Sequence, residues 1–218
     1  LLSAYVEAGE AFAAEIKATR LPELKTIADE ALLTGDGLIE AQAYRDAQQA
    51  MERLEAIGVK VIPVTGRPAG WCDHIARMWP VAAVVGENGA LYFSYNRTDR
   101  EMRSWYARGK EDVEQDRERL AKLAERVLQE VPGSALASDQ PYRLTDMAID
   151  FCEDVPRLPD EAVDRIVSIL REAGATTKVS SIHVNTWFGS HDKLTTSRKC
   201  LFDLFGFNCQ QATPQLLY

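Results

Sequence analysis

The chain has 218 residues, 46% of them apolar and 27% charged, with a formal net charge of -8. That length suffices for one large or two small domains with real cores. The acidic balance argues against a nucleic-acid partner, because phosphate backbones reward basic faces, and no run approaches the ~18 uninterrupted apolar residues of a membrane span.

The four cysteines, Cys72, Cys152, Cys200 and Cys209, show no paired metal-ligand spacing, and a chain of this size does not need disulfides. Reduced thiols and a cytoplasmic location are the expectation. The chain begins at Leu1 with no apolar signal core behind a basic flank; a processed product or an incomplete chain is the reading of that start.

In chain order, residues 1–23 are rich in alanine and glutamate with apolar residues at helical spacing, and Pro22 marks the break. "LKTIAD", Leu24 to Asp29, reads as a short strand. "IEAQAYRDAQQAMERLEAIG" repeats its apolar residues every three to four positions and stops at Gly58. "VKVIPVTG", Val59 to Gly66, is a β-branched run too short for a helix, and is expected to be a buried parallel strand. "PAGWCDHIARMW" is amphipathic and helical, and "VAAVVGENGAL" is a further apolar strand ending in a Gly-flanked loop. The alternation of strand and helix predicts a doubly wound α/β sheet.

Beyond residue 92 the pattern changes. "YFSYN" and "MRSWYA" precede a strongly charged helix from about Glu111 to Glu130, whose charge reads as a solvated face. "YRLTDMAIDF" and "TKVSSIHVNTWF" alternate like half-buried strands, and "PDEAVDRIVSILREAG" between them is an amphipathic helix. This predicts an α+β unit over residues 93–187, with an open sheet solvated on one side. The expected organisation is a helical extension (1–23), a core formed by 24–92 and 188–218, and the inserted unit. "DKLTTSRKCLFDLFGFN" resumes helical spacing, and the tail "CQQATPQLLY" has no pattern.

Chemistry is expected at the carboxyl ends of the parallel strands, where open α/β sheets bind ligands. Thr65 offers a hydroxyl there, Gly66 a backbone amide and Arg67 a guanidinium; the plain alternative is a strand-ending turn. Asn88, in "GENGA", is either a turn former in the left-handed region or a ligand contact. His74 and His191 have no partner pattern and read as surface residues.

"LLTGDGLI", "VIPVTGRP", "VVGENGA" and "SSIHVNTWFGSHDK", in this order and separation, resemble the haloacid dehalogenase (HAD) superfamily. The nearest likeness is the class IIB group of sucrose-phosphate, mannosyl-phosphoglycerate and Cof-type sugar-phosphate phosphatases. The resemblance covers about residues 24 to 207. It implies a Rossmann-like core with a parallel sheet and a mobile α+β cap inserted after the third strand. It also implies hydrolysis of a small phosphorylated metabolite, a sugar phosphate, through an aspartyl-phosphate, with Mg²⁺ and a lysine neutralising the developing charge. Thr65 matches the phosphate-binding residue of the second motif, and Lys193 the lysine of the third.

The first and fourth motifs depart from the pattern. The first should read Asp-x-Asp-Gly-Thr-Leu. Counting back from Asp36 without a gap puts Ile27 at the nucleophile and Asp29 at the general acid/base. With two residues lost, Asp29 is itself the nucleophile and a Mg²⁺ ligand. The fourth, metal-holding run Gly-Asp-x-x-x-Asp is not found before Tyr218, and Asp203, the nearest late acid, lies in helical context. The second reading is therefore a catalytically silent phosphate-binding or scaffold protein on the same fold. In the cap, Asp139, Arg143, His183, Asn185 and Trp187 are expected to face the core and read a sugar. The plain alternatives are a satisfied sheet histidine at His183 and a hinge-packing aromatic at Trp187.

Overall fold

The computed structural model describes residues 41–208. The stretch that carries Asp29, together with the expected N-terminal helix and the tail from Cys209, lies outside them.

Helix α1 (Ala41–Ala56) ends where Gly58 enters the left-handed region at φ 85°. There the Gly58 and Val59 amides donate to the carbonyls of Glu55 and Leu54, both at 2.9 Å, closing the last turn as glycine-terminated helices do. The following segment runs alongside β1 (Val84–Gly86). Ala82 N donates to Val61 O, Val85 N to Pro63 O and Thr65 N to Val85 O, each at 2.9 Å, and Val64 pairs with Val85 in parallel. The segment is half-buried rather than buried as expected, and Pro63 has no N–H to donate to a ladder on either edge.

Helix α2 (Ala69–Met78) follows Pro68 and buries Ala69, Cys72, Ile75 and Ala76, the i, i+3, i+6, i+7 stripe of a core-facing helix. It packs with Val84, Leu91 and Phe93 in one cluster. Strands β2 (Leu91–Asn96) and β3 (Glu101–Tyr106) form an antiparallel hairpin on β1, in the order β1-β2-β3. The hairpin thus shares the sheet of β1, so sheet membership changes after Tyr106 and not at residue 93.

The second layer holds β4 (Ala135–Leu136), β5 (Met147–Asp150), β6 (Thr176–Val179) and β7 (His183–Trp187). Their order is β4-β5-β7-β6, antiparallel throughout. Helices α3 (Lys110–Glu130) and α4 (Asp160–Glu172) cover one face. Leu120, Ala124 and Val127 of α3 and Ile166, Ile169 and Leu170 of α4 close over Met147, Ile149 and Val184. Strand alternation sends Ala148, Asp150, His183 and Asn185 to the other face. That face is not solvated as expected: β5 and β7 are buried at every position, because the loops of the first sheet meet it. Finally, α5 (Lys193–Phe205) starts at Asp192, whose carboxylate accepts from Thr195 N at 2.8 Å. It packs Cys200 against Ala83, Val85 and Tyr92.

No helix among the described residues is long and apolar enough to cross a membrane.

Candidate functional site

Two segments of the first sheet meet the second layer. One is the turn after Val64; the other is the loop Gly86–Ala90 after β1. In the turn, Thr65 Oγ1 accepts from Arg67 N at 3.1 Å. Asn88 N donates to Thr65 O at 3.2 Å, which ties the two segments together. Glu87 and Asn88 both adopt positive φ, 44° and 58°, ahead of Gly89 at 100°. Asparagine tolerates this region, whereas glutamate pays for it with ~1–2 kcal/mol of backbone strain.

Contacts of the Glu87 carboxylate offset that strain. Glu87 is wholly buried. Its Oε1 accepts from Ala69 N, the first amide of α2, and from Leu144 N, both at 2.8 Å. Its Oε2 accepts from Thr145 N at 2.7 Å and from the Thr145 hydroxyl. One side chain therefore caps a helix of the first layer and holds a segment of the second. Next to it, Asn88 Nδ2 donates to Asp146 Oδ2 at 3.1 Å.

Two arginines are exchanged across the same junction. Arg143, from the second layer, donates to Gly66 O at 3.0 Å and pairs with Asp146 at 2.9 Å and Asp139 at 3.2 Å. Arg67, from the first, reaches back to Asp139 at 3.3 Å and Glu153 at 3.6 Å. Burial, with Glu87 nearby, pushes the Asp146 carboxyl up to about 7 against the opposing pull of Arg143.

Between these groups lies a cavity of about 210 Å³. Thr65, Gly66, Arg67 and Asn88 line it from the first layer, and Lys193 from the start of α5. Arg143, Asn185 and the β6–β7 hairpin from Lys178 to His183 line it from the second. The described lining contains no carboxylate. Burial and the neighbouring Lys178 ammonium both lower the Lys193 pKa. Burial lowers that of His183 as well, with its Nε2 2.9 Å from Glu153. Hydroxyl, amide and ammonium donors converging on one small cavity suit an anion of the size of phosphate.

The cavity thus gathers Thr65, Gly66, Arg67, Asn88, Arg143, His183, Asn185 and Lys193 of the expected residues. Asp139 stands just outside and orients the two arginines. Trp187 does not line the cavity. It is 1% exposed and stacks on His191, with centroids 5.6 Å apart, so the packing alternative describes it. His191 is correspondingly not a surface residue: at 9% exposure neither of its ring nitrogens has a hydrogen-bond partner among the described residues. Asp203 accepts from the Tyr92 hydroxyl at 2.7 Å and pairs with Lys199, away from the cavity. Sequence reasoning missed Lys178 and Glu87. For Lys178 the signal was hairpin arithmetic: Lys178 and Asn185 flank the Ser180–Ile182 turn and pair directly.

His191 carries a prediction about pH. Burial, with Arg108 adding to it, pushes its imidazole down to about 4 from 6.5. Between those values the unfolded chain binds the proton and the folded chain does not, so stability falls as pH drops. The expected loss is about 2–3 kcal/mol from pH 6.5 to 4. Denaturant titrations of His191→Phe against the native chain should show the acid slope reduced by that amount.

No protein-family profile matches this chain, and no curated protein does. Solved structures do. The Candida albicans trehalose-6-phosphate phosphatase C-terminal domain superposes with a TM-score of 0.59 at 9% identity, covering 85% of this chain and 62% of that one. Thermoplasma acidophilum 0175 superposes with a TM-score of 0.56 at 16% identity, covering 75% and 64%. A HAD subclass IIB sugar phosphatase is also among the neighbours, with a TM-score of 0.46 at 12% identity, covering 75% and 69%. This chain spans less than two thirds of each of the first two. The likeness is one of fold.

Proposed function

We propose that the cavity binds the phosphate of a small phosphomonoester, a sugar phosphate, and that the chain is a HAD-type phosphatase by descent. In this reading residues 24–106 and 188–218 are the core, since the β2–β3 hairpin belongs to the sheet of β1, and residues 107–187 are a cap closed over it. The single observation that carries it is the convergence of Thr65, at the end of a segment parallel to β1, with Lys193, at the first turn of α5, in one cavity. Thr65 and the Gly66 and Arg67 amides are the donors to the phosphate, and Lys193 neutralises it. Asn88, His183 and Asn185 meet the rest of the molecule. A trehalose-6-phosphate phosphatase domain among the structures of like fold supports this class of substrate.

Magnesium is expected from the resemblance, with Asp29 as a ligand. The described residues do not fit it. None of the cavity's lining is acidic, and the nearby Asp139, Asp146 and Glu153 are held by Arg67, Arg143 or His183. No group of three metal-ligating side chains occurs among the described residues. An ion would therefore depend on Asp29, which the resemblance also makes the nucleophile.

Turnover of a panel of sugar phosphates with Mg²⁺, by the native chain and by Asp29→Asn, decides between catalysis and binding. The proposal expects turnover that the substitution abolishes. A chain without turnover whose melting temperature rises with phosphate is a silent binding protein on this fold. One that shows neither effect refutes both readings.

A further inference from the structure

We propose that Asp146 is a proton-operated switch on the anion cavity: one proton taken up there turns the Asn88 amide so that its NH₂ meets the bound anion. The inference rests on the assignment of the Thr65–Gly66 turn to phosphate.

Two buried carboxylates, Glu87 and Asp146, stand beside the buried guanidinium of Arg143. Arg143 also holds Asp139 at 3.2 Å. From α2 the Cys72 thiol faces the same group, pushed up to about 12 by burial and by Glu87, and therefore neutral. Acids outnumber cations in this cluster, so one of them readily keeps a proton.

Hydrogen bonding decides which. Both oxygens of Glu87 face backbone amides, which cannot turn away from an added proton. Asp146 differs. Its Oδ1 accepts from Arg143 Nη1 at 2.9 Å, but the donor at Oδ2 is a side-chain amide, Asn88 Nδ2, at 3.1 Å. Half a turn about the last bond of asparagine exchanges its nitrogen for its oxygen and moves nothing else. A proton on Asp146 Oδ2 thus has an acceptor within reach, Asn88 Oδ1. Burial and Glu87 put the titration of Asp146 at about 7.

The exchange is felt in the cavity. Asn88 is buried, lines the cavity, and lies over Gly66 with its oxygen foremost. A Cβ built on Gly66 would be 2.9 Å from Asn88 Oδ1 and 3.3 Å from Nδ2. With Asp146 ionised, an anion at the Thr65–Gly66 turn meets the negative end of that amide. With Asp146 protonated, its O–H donates to Asn88 Oδ1, Arg143 stays on Oδ1 of Asp146, and Asn88 Nδ2 turns to the anion as a donor. Coupling of this kind is reciprocal. Anion binding draws a proton from solvent, and affinity rises as pH falls through about 7.

The test is calorimetric titration of the intact chain with sulfate, whose charge is constant from pH 6.5 to 8.5. Buffers of different ionisation enthalpy count the protons taken up. The expected result is uptake of about half a proton per sulfate at pH 7.5, and about fivefold tighter binding at pH 6.5 than at pH 8.5. In Asp146→Asn the new NH₂ donates to Asn88 Oδ1 as the protonated acid does. That variant should bind sulfate at pH 8.5 within about twofold of the native chain at pH 6.5, with no uptake. Uptake that survives Asp146→Asn, or that in the native chain peaks below pH 6.5, belongs to His183 or Lys193 and overturns the switch. Sulfate affinity independent of pH also overturns it, as does binding of inorganic phosphate without sulfate, since a turned NH₂ serves either oxyanion; each leaves the phosphate site standing. Failure of both anions to bind at any pH removes the phosphate assignment and the switch with it.

Discussion

Replacing Gly89 by alanine should destabilise the fold by about 2–5 kcal/mol and abolish phosphate binding. The glycine sits at φ 100°, a region that a Cβ makes costly by ~1–2 kcal/mol. The larger part is steric. A Cβ there would lie 2.2 Å from the Asp192 carbonyl oxygen and 2.8 Å from the Lys193 amide nitrogen. These are backbone atoms, so no rotamer change relieves the clash, and overpacking of this kind adds ~1–3 kcal/mol. The segment cannot simply back away, because Thr196 Oγ1 donates to Gly89 O at 2.5 Å from within α5. What would yield is the start of α5, and with it the position of Lys193. Chemical denaturation gives the first effect and phosphate titration the second. A Gly89→Ala chain that melts like the native one and binds phosphate equally well would show that the loop and α5 do not meet in this way.

Glu87→Ala is expected to cost about 3–5 kcal/mol, the range for deleting one partner of a buried charged network. Three amides and one hydroxyl lose their acceptor at once, in a place with no solvent to replace it. Relief of the left-handed strain offsets little, since alanine is also strained there. Glu87→Gln is the informative companion. Its Oε1 keeps two of the four bonds, but its NH₂ faces the Thr145 amide, donor to donor, so we expect a loss of about 1–3 kcal/mol. Because Leu144 and Thr145 follow Arg143 directly, both variants should also raise amide hydrogen exchange over residues 139–146. If exchange there is unchanged while global stability drops, Glu87 supports α2 alone and does not hold the two layers together.

These two positions also mark what could be read from the chain without coordinates. Helices α2 and α4 follow from apolar periodicity alone, since their burial stripes repeat at the spacings that the sequence shows. That Thr65 and Lys193 line one cavity was expected from local motifs, each at one end of a recognisable element. Glu87 was not. In "GENGA" the eye goes to Asn88 as a turn former, whereas the role of Glu87 depends on Thr145, 58 residues away. Trp187 and His191 failed for a related reason. Their stacking is made by the chain's return from β7 to α5, and neither residue has a patterned neighbour to announce it. The alternation in "YRLTDMAIDF" does predict a strand with two unlike faces. It cannot say that the polar face is covered as well, because Asp146 meets Asn88, 58 residues away. Contacts that no local pattern announces are the common feature of what was missed.

Charge pairing gives the junction its chemical character. Carboxylates occupy Arg67 and Arg143, whereas Lys178 and Lys193 have no ion-pair partner among the described residues. A ligand phosphate near Arg67 competes with Asp139 and Glu153 for the guanidinium, while Lys193 has no such competitor among the described residues. On the proposed function the weight of phosphate binding falls on Lys193, whose ammonium is partly desolvated and close to Lys178.

Calorimetric titration of inorganic phosphate into the intact chain, with Lys193→Met alongside, tests this account most directly. The account predicts saturable binding by the native chain and a loss of tenfold or more in the variant, with the far-ultraviolet spectrum unchanged. Phosphate binding that is equal in the two proteins, or absent from the native chain, would contradict it.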